Sequence, residues 1–341
     1  MDVSHFLNSH LLDPSLGGKR LWADMLEQAV HAERVGFRGV SIPEHHLLNI
    51  LLVPAPLQFA VAVAARTTRV EIATAICQLP IRDMRVFAGE VVQAQALCGG
   101  RLVLGVGKGA FGFETGRIGV PMEETKPRFE ESLAVLEALL TQEEVSWDGD
   151  WYRFDALTVM PRPEDPIPLA LAIMAPPGIE AAAAKGYHIQ TTPLSASHGV
   201  LEGQVSAFHR GAARSGRSGQ RLSLQRGLFL VRSDAEAAQM ADMAYRYYES
   251  FDNVFGGPGI VDRGIIRPLP RAQTMEDFRK NILICGRDEL IDRLSAYAAL
   301  GIDEIIVSSN FGQPQGAVLD MMQALAEDVM PRVAPTARPT A

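Results

Sequence analysis

The feature that most limits what this chain can fold into is a repeated exchange of two patterns. Short apolar runs of strand length alternate with longer amphipathic runs of helix length. The strand candidates are residues 3–8, 39–43, 70–77, 102–106, 169–174, 187–191, 222–231 and 304–309. The helix candidates are residues 21–35, 56–66, 84–97, 128–140, 180–185, 201–214, 235–248, 288–300 and 317–330. Strands joined through helices run parallel, and a parallel sheet is covered on its faces. The order predicts an α/β fold, a (β/α)8 TIM barrel, with residues 1–333 as a single barrel domain. A doubly wound open sheet is the second choice. Helices that end at Gly36, Gly186 and Gly301 lead straight into the next strand, as left-handed glycine caps do.

Two stretches break the pattern. Residues 143–168 carry Trp147-Asp-Gly-Asp-Trp151, a turn flanked by aromatics, and read as a β-hairpin insertion before strand five. Residues 252–284 are rich in Gly, Pro and Arg and poor in periodicity. They read as a long loop insertion before strand eight, a lid at the barrel mouth. Residues 334–341 read as a flexible tail.

Charge and cysteine content narrow the function. A net charge of −8 leaves no basic face to neutralise phosphates, so nucleic acid is not expected as a partner. No apolar run reaches membrane-spanning length, and the first residues lack a signal-peptide pattern. Cys77, Cys98 and Cys285 lie far apart with no CxxC pair, and read as buried thiols in a reducing compartment, the cytoplasm.

In a barrel, chemistry gathers at the carboxyl ends of the strands. Glu44-His45-His46 ends strand two, and two imidazoles beside a carboxylate move protons near neutral pH. Strand geometry turns neighbours to opposite faces, which gives the two histidines different jobs. The uncharged run Leu47, Leu48, Ile50, Leu51 and Leu52 follows, and suggests a dry site with an apolar substrate. Gly105-Val-Gly-Lys-Gly109 ends strand four, and Ala175-Pro-Pro-Gly178 ends strand five and opens a helix. A glycine-rich turn, the Lys108 cation and a helix N-terminus together suit a phosphate.

These segments, in this order, resemble the luciferase-like flavin monooxygenases, the family of the bacterial luciferase alpha subunit. The resemblance rests on Ala-Glu-Arg-Val-Gly-Phe leading to Glu44-His45-His46, on Thr74-Ala-Ile-Cys-Gln-Leu-Pro80, and on Gly99-Gly-Arg through Gly109. It extends through Cys285-Gly-Arg-Asp-Glu-Leu and Ala299-Leu-Gly-Ile-Asp-Glu to Val329-Met-Pro. It implies a two-component FMN monooxygenase, with reduced FMN supplied by a separate flavin reductase and O2 as co-substrate. A flavin hydroperoxide would then oxygenate a small, largely apolar organic molecule.

The catalytic histidine of the family maps to His45, with Glu44 and His46 in support. A family acid maps to Glu114, to bind substrate or orient His45. The flavin ring would lie against a cis peptide at Ala75-Ile76. Its phosphate would meet Lys108, either Lys126 or Arg128, and the strand-five end at Met174 and Ala175. The hydroxyl residues of the family are absent there, which leaves the N–H groups of Gly178 and Ile179 and a weaker grip. The small residues of helices two and three fit close packing against the barrel; in the resembling family these helices form a dimer interface, so the resemblance implies a homodimer.

The alternatives on the same barrel are a deazaflavin-dependent oxidoreductase and a non-catalytic flavin-binding protein. A metal site is not expected, because adjacent residues do not turn readily toward one ion. His5, His10, His31, His188, His198 and His209 read as surface or packing residues, with His5 and His10 close enough to the first strand's end to reach the pocket.

Overall fold

A computed structural model describes residues 1–333, and the tail expected at 334–341 lies outside the described residues. Eight parallel strands form the barrel: β1 (Asp2–Phe6), β2 (Gly39–Ile42), β3 (Glu71–Thr74), β4 (Leu102–Gly107), β5 (Leu169–Ala172), β6 (His188–Thr191), β7 (Leu222–Leu230) and β8 (Glu304–Ser308). They pair in chain order, and β8 closes on β1 with Asp2 opposite Glu304. The expected barrel is therefore the observed one.

The helices follow the strands: α1 (Gly17–Val35), α2 (Pro56–Ala64), α3 (Met84–Leu97), α4 (Gly112–Arg117), α5 (Met122–Thr141), α6 (Pro176–Ala184), α7 (His198–Ser215), α8 (Asp234–Phe255), α9 (Met275–Asn281), α10 (Arg287–Ala299) and α11 (Gln315–Ala324). Local chemistry sets several ends. Asp83 caps α3 by accepting from the Arg85 N–H, and Ser233 caps α8 by accepting from Glu236. Gly36 closes α1 at φ 93°, with its N–H on the Ala32 carbonyl.

On the face of the barrel strands opposite Ser4, Gly39 and Glu304, Ile42, Ile72, Leu102, Leu104 and Ile305 are buried in the hydrophobic core. The amino-terminal end is polar, with Ser4 and Ser223 both donating to the buried Glu304 carboxyl.

Three sequence expectations change. α5 starts at Met122, six residues before the expected start, and runs through Pro127. Glu123 and Glu124 in its first turn favour the positive end of the helix dipole there. Residues 252–284 are not an unstructured loop. They hold the end of α8, a hairpin of Val261–Asp262 and Ile265–Ile266, α9, and strand Leu283–Cys285 parallel to β7. Elements this short carry too few periods to register in a sequence pattern. Finally, β2 stops at Ile42, so Glu44, His45 and His46 lie on the loop beyond it and strand alternation does not apply to them. The hairpin expected at residues 143–168 is present as antiparallel Val145–Asp148 and Arg153–Leu157. Among the described residues no helix is long and apolar enough to cross a membrane.

Candidate active site

The site begins where β3 and β4 crowd each other. A Cβ built on Gly105 would lie 1.9 Å from the Thr74 carbonyl oxygen, so no other residue fits there. Beyond Thr74 the chain passes through a cis peptide at Ala75-Ile76, at the expected position. Cys77–Gln78 then pairs alongside the end of β4, with Gln78 opposite Gly107. This pins Gln78 at the carboxyl rim, facing the loop that carries Glu44.

Two histidine–carboxylate pairs meet at Gln78. His45 Nδ1 is 2.9 Å from Glu114 Oε2, and the other Glu114 oxygen accepts from the His46 N–H at 2.6 Å and from Gln78 Nε2 at 3.1 Å. His46 Nε2 is 2.7 Å from Glu44 Oε1. Glu44 Oε2 accepts from the Gln78 N–H at 2.8 Å, and the Glu44 carbonyl accepts from Gln78 Nε2 at 3.2 Å. Both carboxyl groups are fully buried, while the histidines keep partial access to the mouth. Facing a carboxylate, each histidine places its proton on the bonded nitrogen. That leaves His45 Nε2 and His46 Nδ1 as the other ring nitrogens.

The histidine geometry is fixed from the side as well. His45 stacks on Phe111 with centroids 4.0 Å apart and planes 14° apart. Phe111 meets Phe251 of α8 edge-on, so the helix before the insertion roofs the pair. A cleft of about 440 Å³ opens beside Phe111, between Ala110, Phe113 and Arg117 on one side and Phe255 through Gly259 on the other. Of the expected apolar wall, Leu48, Ile50 and Leu51 are buried, Leu52 is half-buried and Leu47 is exposed. Leu47 and Leu51 hold positive φ angles of 62° and 51°, a conformation that costs a leucine roughly 1–3 kcal/mol.

The candidate phosphate ligands divide. Lys108 stands exposed just past the end of β4, and desolvation holds its ammonium below the ordinary range. Lys126 is exposed and reaches Glu130 at 3.8 Å. Arg128 pairs with Glu124 at 2.9 Å and lies 4.2 Å over the Trp151 ring. It lines a separate cleft with Arg82 and Arg85. At the start of α6, Pro176 and Pro177 have no N–H, and the Ile179 N–H is spent on the Ala175 carbonyl at 3.0 Å. Ile179 is thus withdrawn as a backbone donor, and Gly178 alone offers one in the first three helical positions. Met174 is held by its carbonyl, which accepts from Gln204 Nε2 at 2.9 Å.

The remaining histidines and cysteines fall outside the pair. His5 is buried against Gln28, with Nε2 3.0 Å from its amide oxygen, and His10 packs edge-on against Tyr247. All three cysteines are buried, and burial pushes the Cys77 and Cys285 thiols up to about 12, so they are inert at neutral pH. Sequence reasoning missed Gln78, Arg82 and Phe111. The signal available was the pair of acids at 44 and 114, which need donors once buried.

The fold has close relatives among solved structures. The oxygenating constituent of 3,6-diketocamphane monooxygenase from Pseudomonas putida, solved with FMN, superposes with a TM-score of 0.81 at 18% identity. The superposition covers 99% of this chain and 100% of that one. The family model described as luciferase-like monooxygenase matches residues 1–304, and the chain belongs to that family. The oxygenase component of a flavin-dependent trigonelline monooxygenase from Acinetobacter baylyi is 25% identical over 97% of this chain and 95% of its own length. An F420-dependent glucose-6-phosphate dehydrogenase from Beutenbergia cavernae is 27% identical over 91% of this chain and 93% of its own.

Proposed function

We propose that the chain is the oxygenase component of a two-component monooxygenase that takes reduced FMN from a separate reductase. It uses O2 to oxygenate a small, largely apolar organic substrate. The observation that carries this reading is His45, partly open to the barrel mouth and held at Nδ1 by the buried Glu114 carboxylate. The relative named as an oxygenase component supports the reductase partner.

The rim fits a polar heteroaromatic ring. Gln78 Oε1, Gln190 Oε1 and Ser309 Oγ are buried at or just beyond the ends of β3, β6 and β8 without a hydrogen-bond partner. A flavin ring brings both N–H groups and carbonyls to such atoms. Ala75, Ile76 and Met174 would hold the ring, and Lys108, Ala175 and Gly178 its phosphate. Bound reduced flavin supplies the electrons that activate oxygen. The side chains do the rest. Glu114 fixes the tautomer of His45, Phe111 fixes its plane, and Nε2 is left to give or take one proton at the reacting oxygen. Leu48, Ile50 and Leu51 keep water out, which protects the oxygenation from hydrolytic side reactions. We also propose a homodimer through α2 and α3, where Val86 and Leu97 are exposed.

A second reading, hydride transfer to or from a deazaflavin on the same barrel, is favoured by the dehydrogenase relative. Stopped-flow absorbance separates the two. Protein premixed with photoreduced FMN and then oxygen is expected to slow flavin reoxidation relative to free flavin. His45→Ala is expected to bind reduced FMN within about three-fold of the parent while oxygen uptake ends in hydrogen peroxide instead of oxygenated product, a loss of roughly 10²–10⁴-fold. Reoxidation at the free-flavin rate, together with binding of a reduced deazaflavin, would transfer the assignment to hydride chemistry.

A further inference from the structure

Two buried carboxylates share the rim, and only one has a permanent cation. Arg82, on the turn between β3 and α3, places a guanidinium nitrogen 2.7 Å from Glu44 Oε1 and donates with another to the Gln78 carbonyl at 2.8 Å. The same Glu44 oxygen is the one bonded to His46. Glu114 differs. Among the described residues its ion-pair partner is His45, and its remaining contacts are the neutral N–H donors of His46 and Gln78. The two histidine–carboxylate pairs look alike in distance but differ in charge balance.

From this asymmetry we infer that Arg82 is a positioning residue that decides which histidine carries the proton. Glu44 is neutralised by Arg82, so a proton added to His46 would leave a net positive cluster in a buried place. Glu114 has no such cation, so a proton on His45 completes an ion pair. Gln78 keeps the two pairs apart, with one amide group bonded to both segments. His46 therefore stays neutral, as a fixed strut on Glu44, and His45 cycles. The inference deepens the monooxygenase reading and rests on it for its catalytic meaning.

The other groups around Arg82 do not alter the balance. Burial opposes its charge, and Glu44 leads the groups, Cys77 and Glu90 among them, that more than restore it, so the guanidinium is held above its ordinary range. Cys77 faces both Glu44 and Arg82, and its thiol is neutral because burial pushes it up to about 12. Phe87 lies under the guanidinium, with its ring centroid 5.2 Å away. On the cleft side Asp83 is already held by Arg85, and Arg128 by Glu124.

The test is histidine protonation, read by long-range proton–nitrogen NMR on ¹⁵N-histidine-labelled full chain without flavin. In the parent protein His46 is expected neutral at pH 7, with its proton on Nε2. Arg82→Gln is expected to convert His46 to the imidazolium pattern at the same pH. Arg82→Lys is expected to keep it neutral, and the double variant Glu44→Gln, Arg82→Gln to return it to neutral. In turnover, Arg82→Gln is expected to lower kcat about ten-fold with little change in substrate KM and to alter its pH profile, and Arg82→Lys to restore both. An imidazolium at His46 in the parent overturns the inference, and so does a neutral His46 in Arg82→Gln. The parent measurement decides even where that variant does not fold. Failure to oxygenate any substrate, with the histidine pattern as expected, would count against the proposed function and leave the charge assignment standing.

Discussion

A carboxylate behind an imidazole does two things, and the geometry around Glu114 separates them. It fixes which nitrogen holds the proton, and it stabilises the charged ring when a second proton arrives. Glu114→Gln keeps the size and an acceptor but removes the charge. It also presents an NH2 toward the His46 N–H or His45 Nδ1, both of which are donors to this group. Product formed per flavin oxidised is expected to fall about 10–100-fold, with reduced-flavin affinity nearly unchanged. Retention of full coupling in Glu114→Gln would show that His45 works without its carboxylate. Lys108 allows a sharper test of cofactor seating. With only the Gly178 N–H free in the first three positions of α6, the proposed function leaves the lysine to supply most of the grip on an FMN phosphate. Lys108→Ala is expected to weaken FMN binding roughly ten-fold, as loss of one charge-assisted hydrogen bond does, and to leave riboflavin binding unaltered. Equal weakening of both flavins would remove Lys108 from the phosphate site.

At the scale of elements, the legible parts were those with enough length to show a period. All eight barrel strands and the long helices were readable, because buried parallel strands are continuous apolar runs and their covering helices are striped. α4 was not readable. It is six residues long, contains two glycines, and forms where Phe111 and Glu114 are packed by other segments. The site followed the same division. His45 was legible in the Glu44-His45-His46 motif and Glu114 came from the resemblance, and the structure brings them together. Gln78 and Arg82 are joined to Glu44 only because β2 and β3 are neighbours, a relation no local pattern encodes. The crowding of β3 against β4 gives a direct check on that joint. Gly105→Ala would drive a methyl into the Thr74 carbonyl, and its other neighbour is the Gln190 amide oxygen at 2.9 Å. Backbone cannot yield as a flexible side chain can, so the expected destabilisation is roughly 3 kcal/mol or more. Denaturant unfolding of the variant measures it, and a change below about 1 kcal/mol would mean that the two strands separate easily.

At the scale of the whole molecule, part of the pH response lies in buried histidines and one buried carboxyl. Burial holds His5 and His10 down to about 4, against 6.5 for an exposed imidazole. Between those values the unfolded chain binds protons that the folded chain refuses, so acid favours unfolding. The contribution of each neutral histidine is complete above about pH 6.5 and is lost as pH falls toward 4. At pH 5 the loss is roughly 2 kcal/mol per site. Glu304 works in the opposite direction. Desolvation, only partly offset by the hydroxyls of Ser223 and Ser4, holds its carboxyl above the ordinary range, so its cost to folding eases as pH falls. The two histidines taken alone predict a lower unfolding midpoint at pH 5 than at pH 7. His5→Gln is expected to flatten that difference by removing one site, and Glu304→Gln to raise stability at pH 7 by removing a buried charge. Urea titrations of the parent and both variants at the two pH values read all of this. An unchanged pH difference in His5→Gln would show that His5 accepts a proton in the fold, which its burial beside Gln28 argues against.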